Sequence, residues 1–183
     1  MNPAQKDRYA RHIRLSQIGE KGQQAILDAS ALIVGVGGLG SPAAMYLAAA
    51  GIGKLILCDY DVVETSNLQR QIIHHDGSVG ENKVDSGRQT VQALNPDCEV
   101  EVIGYQLEGE ELKQVIDSVD IVLDCTDNYP TRFEVNRYCV ETATRLVIGA
   151  AISIEGQIMN YQPDDNSSCF QCLFQHAYGA EES

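Results

Sequence analysis

Ala31-Leu32-Ile33-Val34-Gly35-Val36-Gly37-Gly38-Leu39-Gly40-Ser41-Pro42 is the stretch on which the reading of this chain turns. Its first four residues form an unbroken apolar run, the pattern of a strand buried on both faces. Gly35 to Gly40 then match G-x-G-x-x-G. Ser41 suits a helix N-cap and Pro42 the first helical position, so a helix is expected through Ala49, ended by Gly51 and Gly53. Strand, glycine turn and helix in this order let the backbone approach a phosphate, and the helix N-terminus adds free N–H groups and positive dipole. Gly37, Gly38 and Gly40 are therefore candidate nucleotide contacts. Without a strand before it and a helix after it, the glycine spacing would carry little.

Outward from this unit, the same alternation continues. Residues 54–59 read as a second strand ending in Asp59, nineteen residues after Gly40. A carboxylate there can accept hydrogen bonds from ribose hydroxyls. Residues 60–81 are irregular and polar, long for a connection and so suspect as functional. Residues 82–94 have helical amphipathicity and stop at Asn95-Pro96. Strands are expected at 99–103, 121–123, 146–148 and 156–161, and helices at 110–116 and 131–142. Residues 3–29 read as a helical arm with Tyr9, Ile13, Ile18, Ala25 and Ile26 on its apolar stripe, interrupted around Gly19 and Gly22. The predicted fold class is α/β: a Rossmann-like open, mostly parallel sheet with an N-terminal helical arm. The predicted divisions are the arm at 1–29, the nucleotide-binding domain at 30–163 and a separate segment at 164–183.

Composition narrows the function classes. The chain has 183 residues, matching one domain, and a formal net charge of -13. Such a charge opposes binding to nucleic acid or to an anionic membrane, because repulsion acts at every phosphate. No apolar window is long enough for a membrane span, and the polar N-terminus lacks a secretory signal. A cytoplasmic location is expected. Cys58, Cys98, Cys125 and Cys139 read as small buried hydrophobes in a reducing compartment.

Glycine turn and Asp59 together suit either NAD or ATP. Asn67, Arg70, Gln71 and Lys83 fall beyond the second strand's carboxyl end, the edge that faces the ligand crevice in such sheets. Cations and amides there suit a triphosphate, whose charge must be neutralised before its α-phosphorus is attacked. A solvated loop with ordinary surface charges is the other reading of the same residues. Asp124-Cys125-Thr126-Asp127-Asn128 ends a strand on the same edge. Asp127 is placed to hold Mg²⁺ against phosphates, and Asp124 to orient the loop. Alternatively, this is an Asx turn in which Asp127 or Asn128 caps the following helix. Cys169-Phe170-Gln171-Cys172 is half of a tetrahedral zinc site, with inert or redox-active cysteines as rivals. The pair is not expected to open a helix as a thioredoxin-type motif does. Adjacent His74 and His75 read as structural, since neighbouring histidines face different directions.

Taken in order, these motifs resemble the MoeB/ThiF/HesA adenylyltransferase family. The match runs through Arg8-Tyr9-Ala10-Arg11, GVGGLGSP at 35–42, Asp59-Tyr60-Asp61, Ser66-Asn67-Leu68-Gln69-Arg70-Gln71, Lys83, Asp124 to Asn128 and the two terminal cysteines, covering residues 8 to 174. The resemblance implies ATP- and Mg²⁺-dependent adenylation of the C-terminal glycine carboxylate of a ubiquitin-like sulfur carrier, of MoaD or ThiS type, in molybdenum cofactor or thiamine biosynthesis. A sulfurtransferase is a further implied partner. Gly38 would lie against the nucleotide and Asp59 would hold the ribose. Asn67, Arg70 and Lys83 would bind phosphates, Asp127 would bind Mg²⁺, and Cys169 with Cys172 would bind Zn²⁺. Arg11 would reach the triphosphate of the other subunit in a homodimer.

Members of the family run on for roughly another seventy residues, a sizeable part of a domain. That segment carries the second C-x-x-C and the groove for the carrier's tail. The resemblance therefore implies a zinc half-site and an incomplete groove here, in a shortened chain or one whose remainder lies elsewhere. The surroundings of His74 and His75 look nearer to the MoeB pattern than to ThiF. Two other functions stay open on the residues alone. One is a non-catalytic nucleotide-binding partner subunit. The other is a nicotinamide oxidoreductase, suggested by the glycine motif and Asp59.

Overall fold

The computed structural model describes residues 1–164 and 167–174. Three short helices come first, α1 (Pro3–Arg8), α2 (Ala10–Ile13) and α3 (Gly19–Asp28), followed by β1 (Ser30–Val34) and α4 (Gly40–Ala50). Next are β2 (Lys54–Cys58), two 3₁₀ turns at Thr65–Asn67 and Asp76–Ser78, α5 (Lys83–Leu94), β3 (Glu99–Ile103) and α6 (Gly109–Asp117). The chain continues through β4 (Ile121–Asp124), α7 (Tyr129–Glu141), β5 (Arg145–Ile152), β6 (Glu155–Tyr161) and α8 (Phe170–Leu173).

The strands form one sheet in the order β3-β2-β1-β4-β5-β6. All pairings are parallel except β5 with β6, which is antiparallel. This is the expected Rossmann-like arrangement, with the order reversing between β1 and β4. β1 shows why the apolar run had to be continuous. Ala31 and Ile33 pack to one side with Ala44 and Ala48 of α4 and Val84 and Val91 of α5. Leu32 and Val34 pack to the other side with Leu112 and Ile116 of α6 and Phe133 and Cys139 of α7. Helices on both faces leave no solvated side for a polar residue to occupy.

Local corrections to the expected elements are physical. Helix α4 starts at Gly40, its N-cap is Leu39, and no side chain caps it. Ser41 lies inside the helix, fully buried, with its hydroxyl 3.5 Å from the Val36 carbonyl. The arm breaks at Tyr9 and again between Arg14 and Ile18, whereas Gly19 and Gly22, where an interruption was expected, lie within α3. Cys169 is the N-cap residue of the single turn α8 and makes no side-chain cap hydrogen bond. Among the described residues, no helix is long and apolar enough to cross a membrane. Thiols of Cys58, Cys125 and Cys139 are pushed up to about 12 and that of Cys98 to about 11, by burial first, which accords with inert packing.

Candidate active site

β1 and β4 are adjacent in the sheet, so the loops that follow them meet. Gly35 has φ +89°, and a Cβ there would stand 3.0 Å from the Cys125 carbonyl oxygen. Cys125 N donates to Val34 O at 2.8 Å, which closes the junction. The glycine loop and the Asp124–Asn128 loop therefore share one crevice at the switch point of the sheet, where open α/β folds bind ligands.

The loop's glycines divide by cause. A Cβ on Gly40 would lie 1.9 Å from the Gly35 carbonyl oxygen, so the packing of α4 on its own loop forbids a side chain there. Gly37 and Gly38 are different. A Cβ at Gly37 would meet only Gln71 Nε2 at 3.7 Å, and one at Gly38 only the Arg70 stem at 3.7 Å, both ordinary contacts. Neither has a positive φ. Nothing in the fold demands glycine at these two half-exposed positions. A bare backbone there is what a close-lying phosphate or base requires, and the uncapped start of α4 adds donors and positive dipole.

Asp59 follows β2 and fixes this loop. Its Oδ2 accepts from Val36 N at 2.7 Å and its Oδ1 from Asp61 N at 2.9 Å. Each oxygen keeps further acceptor capacity. His74 supports the loop from below. It is buried, with Nε2 3.1 Å from Val36 O and Nδ1 2.9 Å from Ser86 Oγ of α5. Burial first, and the Lys83 charge among lesser causes, lower its pKa. The structural reading of His74 holds. Its anchoring of the glycine loop is not visible in sequence, where His74 and His75 look alike; only His74 is buried.

The irregular segment brings the polar side chains to this crevice. Arg70 is exposed, its stem across Gly38 and its Nη1 donating to Ser66 O at 3.2 Å. Asn67 is buried in its own 3₁₀ turn, with Oδ1 accepting from Glu64 N at 3.2 Å. Its carbonyl accepts from Arg70 N and Gln71 N, so it orders the turn that presents both residues. Lys83 opens α5, buried, and pairs with Asp61. Gln71 Oε1, Asp124 Oδ2 at the end of β4, and Arg132 Nε and Asn136 Nδ2 of α7 are buried without hydrogen-bond partners among the described residues. Buried polar atoms are nearly always paired, so the unpaired Gln71 Oε1, on a side chain that stands beside Gly37, offers a contact to a polar ligand.

On the β4 side, Asp124 is fully buried, and burial raises its pKa above the ordinary carboxylate value. Its Oδ1 accepts from Thr126 N at 3.0 Å and Thr126 Oγ1 at 2.6 Å, and Arg132 Nη2 donates to Thr126 O. Asn128, not Asp127, caps α7, accepting from Thr131 N at 3.0 Å. Asp127 is thereby held exposed on a loop fixed at both ends, with no partner among the described residues. A single free carboxylate fits Mg²⁺, which takes one or two protein carboxylates together with substrate phosphates.

Three predicted residues lie apart from this cluster. Arg11 is exposed on α2, without a partner among the described residues. Cys169 and Cys172 have sulfurs 3.5 Å apart, close to the roughly 3.8 Å edge of a tetrahedral Zn–thiolate site. Burial raises the Cys169 pKa, but hydrogen bonds from the Cys172 amide and its surroundings outweigh this and lower it. Among the described residues, no group of three or more His, Cys, Asp or Glu side chains is placed to hold a metal ion.

The chain is similar to several known proteins over most of its length. The chain is 44% identical over 174 residues to the sulfur carrier protein ThiS adenylyltransferase of Escherichia coli, covering 95% of this chain and 69% of that protein. It is 45% identical over 166 residues to the Escherichia coli molybdopterin-synthase adenylyltransferase, covering 91% of this chain and 67% of that one. Among solved structures, Escherichia coli MccB with ATP superimposes with a TM-score of 0.80 at 26% identity, covering 90% of this chain and 50% of MccB. The chain thus spans about two thirds of both adenylyltransferases and half of MccB. The ThiF family model matches residues 9–182. From the arm to the cysteine pair, sequence and fold agree that this chain belongs to the ThiF family.

Proposed function

We propose that the chain uses ATP to adenylate the C-terminal glycine carboxylate of a ubiquitin-like sulfur carrier of MoaD or ThiS type, releasing pyrophosphate, in molybdenum cofactor or thiamine biosynthesis. The observation that carries this reading is the bare backbone at Gly37 and Gly38 beneath Arg70, next to the loop after β4 on which Asp127 is exposed. The name of the ThiS adenylyltransferase supports a sulfur carrier as substrate, and that of the molybdopterin-synthase adenylyltransferase supports adenylyl transfer.

The reaction joins two anions, so its main obstacle is repulsion. The carrier carboxylate attacks the α-phosphorus, the bond to the β-phosphate oxygen breaks, and pyrophosphate leaves with its electron pair. Arg70 and Lys83 neutralise the phosphates, and Arg11 of a second copy adds a third cation in a homodimer. Asp59 receives the ribose hydroxyls while holding the glycine loop by Val36. Mg²⁺, held by Asp127, supplies further charge neutralisation on the phosphates when bound. No side-chain nucleophile is required, because positioning and electrostatic stabilisation suffice for this class of transfer. Zn²⁺ at Cys169 and Cys172 would be structural and remote from this chemistry. A sulfurtransferase acting afterwards on the acyl-adenylate, and a cytoplasmic location, complete the proposal.

Carrier-dependent exchange of pyrophosphate into ATP tests it. Arg70→Ala and Asp127→Ala should each lower exchange about a hundredfold or more, the usual cost of removing one transition-state charge partner. Circular dichroism should stay unchanged, since both side chains are exposed. Exchange that persists in both variants removes the assignment.

A further inference from the structure

One cation of the site is already neutralised by the protein itself. Lys83 Nζ lies 2.7 Å from Asp61 Oδ2, and the Lys83 side chain is 7% exposed while that of Asp61 is 54% exposed. The backbone repeats the contact, because Lys83 N donates to Asp61 O at 3.0 Å. Neighbouring residues fix the arrangement. Val62 bridges Asn82 in antiparallel fashion, Val63 N donates to Glu81 O at 2.9 Å, and Asp61 N donates to Asp59 Oδ1. Two short extended segments thus hold an acid against the first residue of α5. This differs from a chance meeting of two mobile surface side chains.

A buried ammonium needs an anion beside it, because removal from water penalises an unpaired charge heavily. The half-exposed carboxylate can swing into solvent at small cost, whereas the buried ammonium cannot. We propose that Asp61 is a displaceable counter-ion for Lys83: it pairs the ammonium when nucleotide is absent, yields it to the phosphate chain of a nucleoside triphosphate, and takes it back as pyrophosphate departs. This deepens the adenylation reading and rests on Lys83 meeting phosphate. Every nucleotide must outcompete Asp61 for Lys83. A triphosphate brings more negative charge to that exchange than a nucleoside monophosphate does. Asp61 is therefore a specificity and positioning residue, selecting ligands by the charge they bring and keeping Lys83 paired after pyrophosphate leaves.

The test is calorimetric titration of the full chain with ATP and with AMP, for wild type, Asp61→Asn, Lys83→Gln and the double variant. Asp61→Asn keeps the size of an exposed side chain, and thermal melting of each variant verifies folding. Asp61→Asn should tighten ATP about fivefold, the upper range for a partly exposed ion pair. AMP affinity should not change, and the tightening should vanish in the Lys83→Gln background. If Lys83→Gln weakens ATP but Asp61→Asn does not tighten it, the counter-ion role is overturned and the phosphate role of Lys83 stands. If Asp61→Asn tightens ATP equally with and without Lys83, general repulsion explains the effect and the proposal fails. If Lys83→Gln leaves ATP binding unchanged, the phosphate assignment of Lys83 fails and the proposal with it.

Discussion

His74 shows how much a single residue's role depends on contacts far along the chain. It touches Val36 in the glycine loop and Ser86 in α5, tying the loop to a helix it does not adjoin in sequence. Burial lowers its pKa below the ordinary 6.5. The unfolded chain therefore takes up a proton as pH falls through 6.5, while the folded chain resists until its own lower value is reached. Stability is full above pH 6.5 and declines below it, across the window down to the folded pKa. His74→Gln should flatten that decline in urea unfolding measured at stepwise pH. Asp124, whose pKa is raised, tilts stability the opposite way above pH 3.8, so the comparison with wild type isolates the histidine. The sequence announced the glycine motif, Asp59 and Asp127 by their positions next to apolar runs. It did not separate the glycines that packing requires from those left bare. That distinction depends on where Gly35 meets Cys125, ninety positions further on.

At the scale of elements, the N-terminal arm is attached by few contacts, and Tyr9 is central to them. Tyr9 is buried, and its hydroxyl accepts from Asn95 Nδ2 at 3.0 Å. Its ring occupies the space where a side chain on Gly51 would go, 2.5 Å from the nearest ring atom. Gln23, fully buried in α3, adds a hydrogen bond to Ala50 O at 2.9 Å and accepts contact from His12 at 2.9 Å. Tyr9→Ala should cost about 3 kcal/mol of arm docking, in the range for truncating a buried aromatic. Hydrogen exchange should then quicken across residues 1–28 and remain slow in the inner strands. The apolar stripe made the arm legible as helical and named Tyr9. Its division into three pieces was not legible, because helices of four to ten residues have little propensity signal of their own and are held by packing. Likewise, Ser41 looked like a cap by composition, yet close packing of Gly40 on Gly35 draws the helix start forward and buries the serine.

Across the whole molecule, the parallel core was legible because strands covered on both faces read as unbroken apolar runs. β6 was legible only as a strand, since its antiparallel pairing and exposed outer face leave no distinctive pattern. Ile154 and Ile158 are 101% and 81% exposed at that side of the sheet, with Ile152 and Leu173 also exposed. An apolar cluster beside an edge strand favours self-association. Replacing Ile154 and Ile158 together by Lys should reduce light scattering severalfold at equal protein concentration, with thermal stability little changed. Strand order has a consequence for how such a chain is made. Ser30 at the foot of β1 hydrogen-bonds Asp120, 90 residues later. Emerging from a ribosome, the first strand can pair with β2 at once, but its other flank waits for most of the remaining polypeptide. Of the loops proposed to hold nucleotide, the one bearing Asp127 is made last, so on that proposal tight nucleotide capture would report that β4 has been made and that both halves of the sheet have joined.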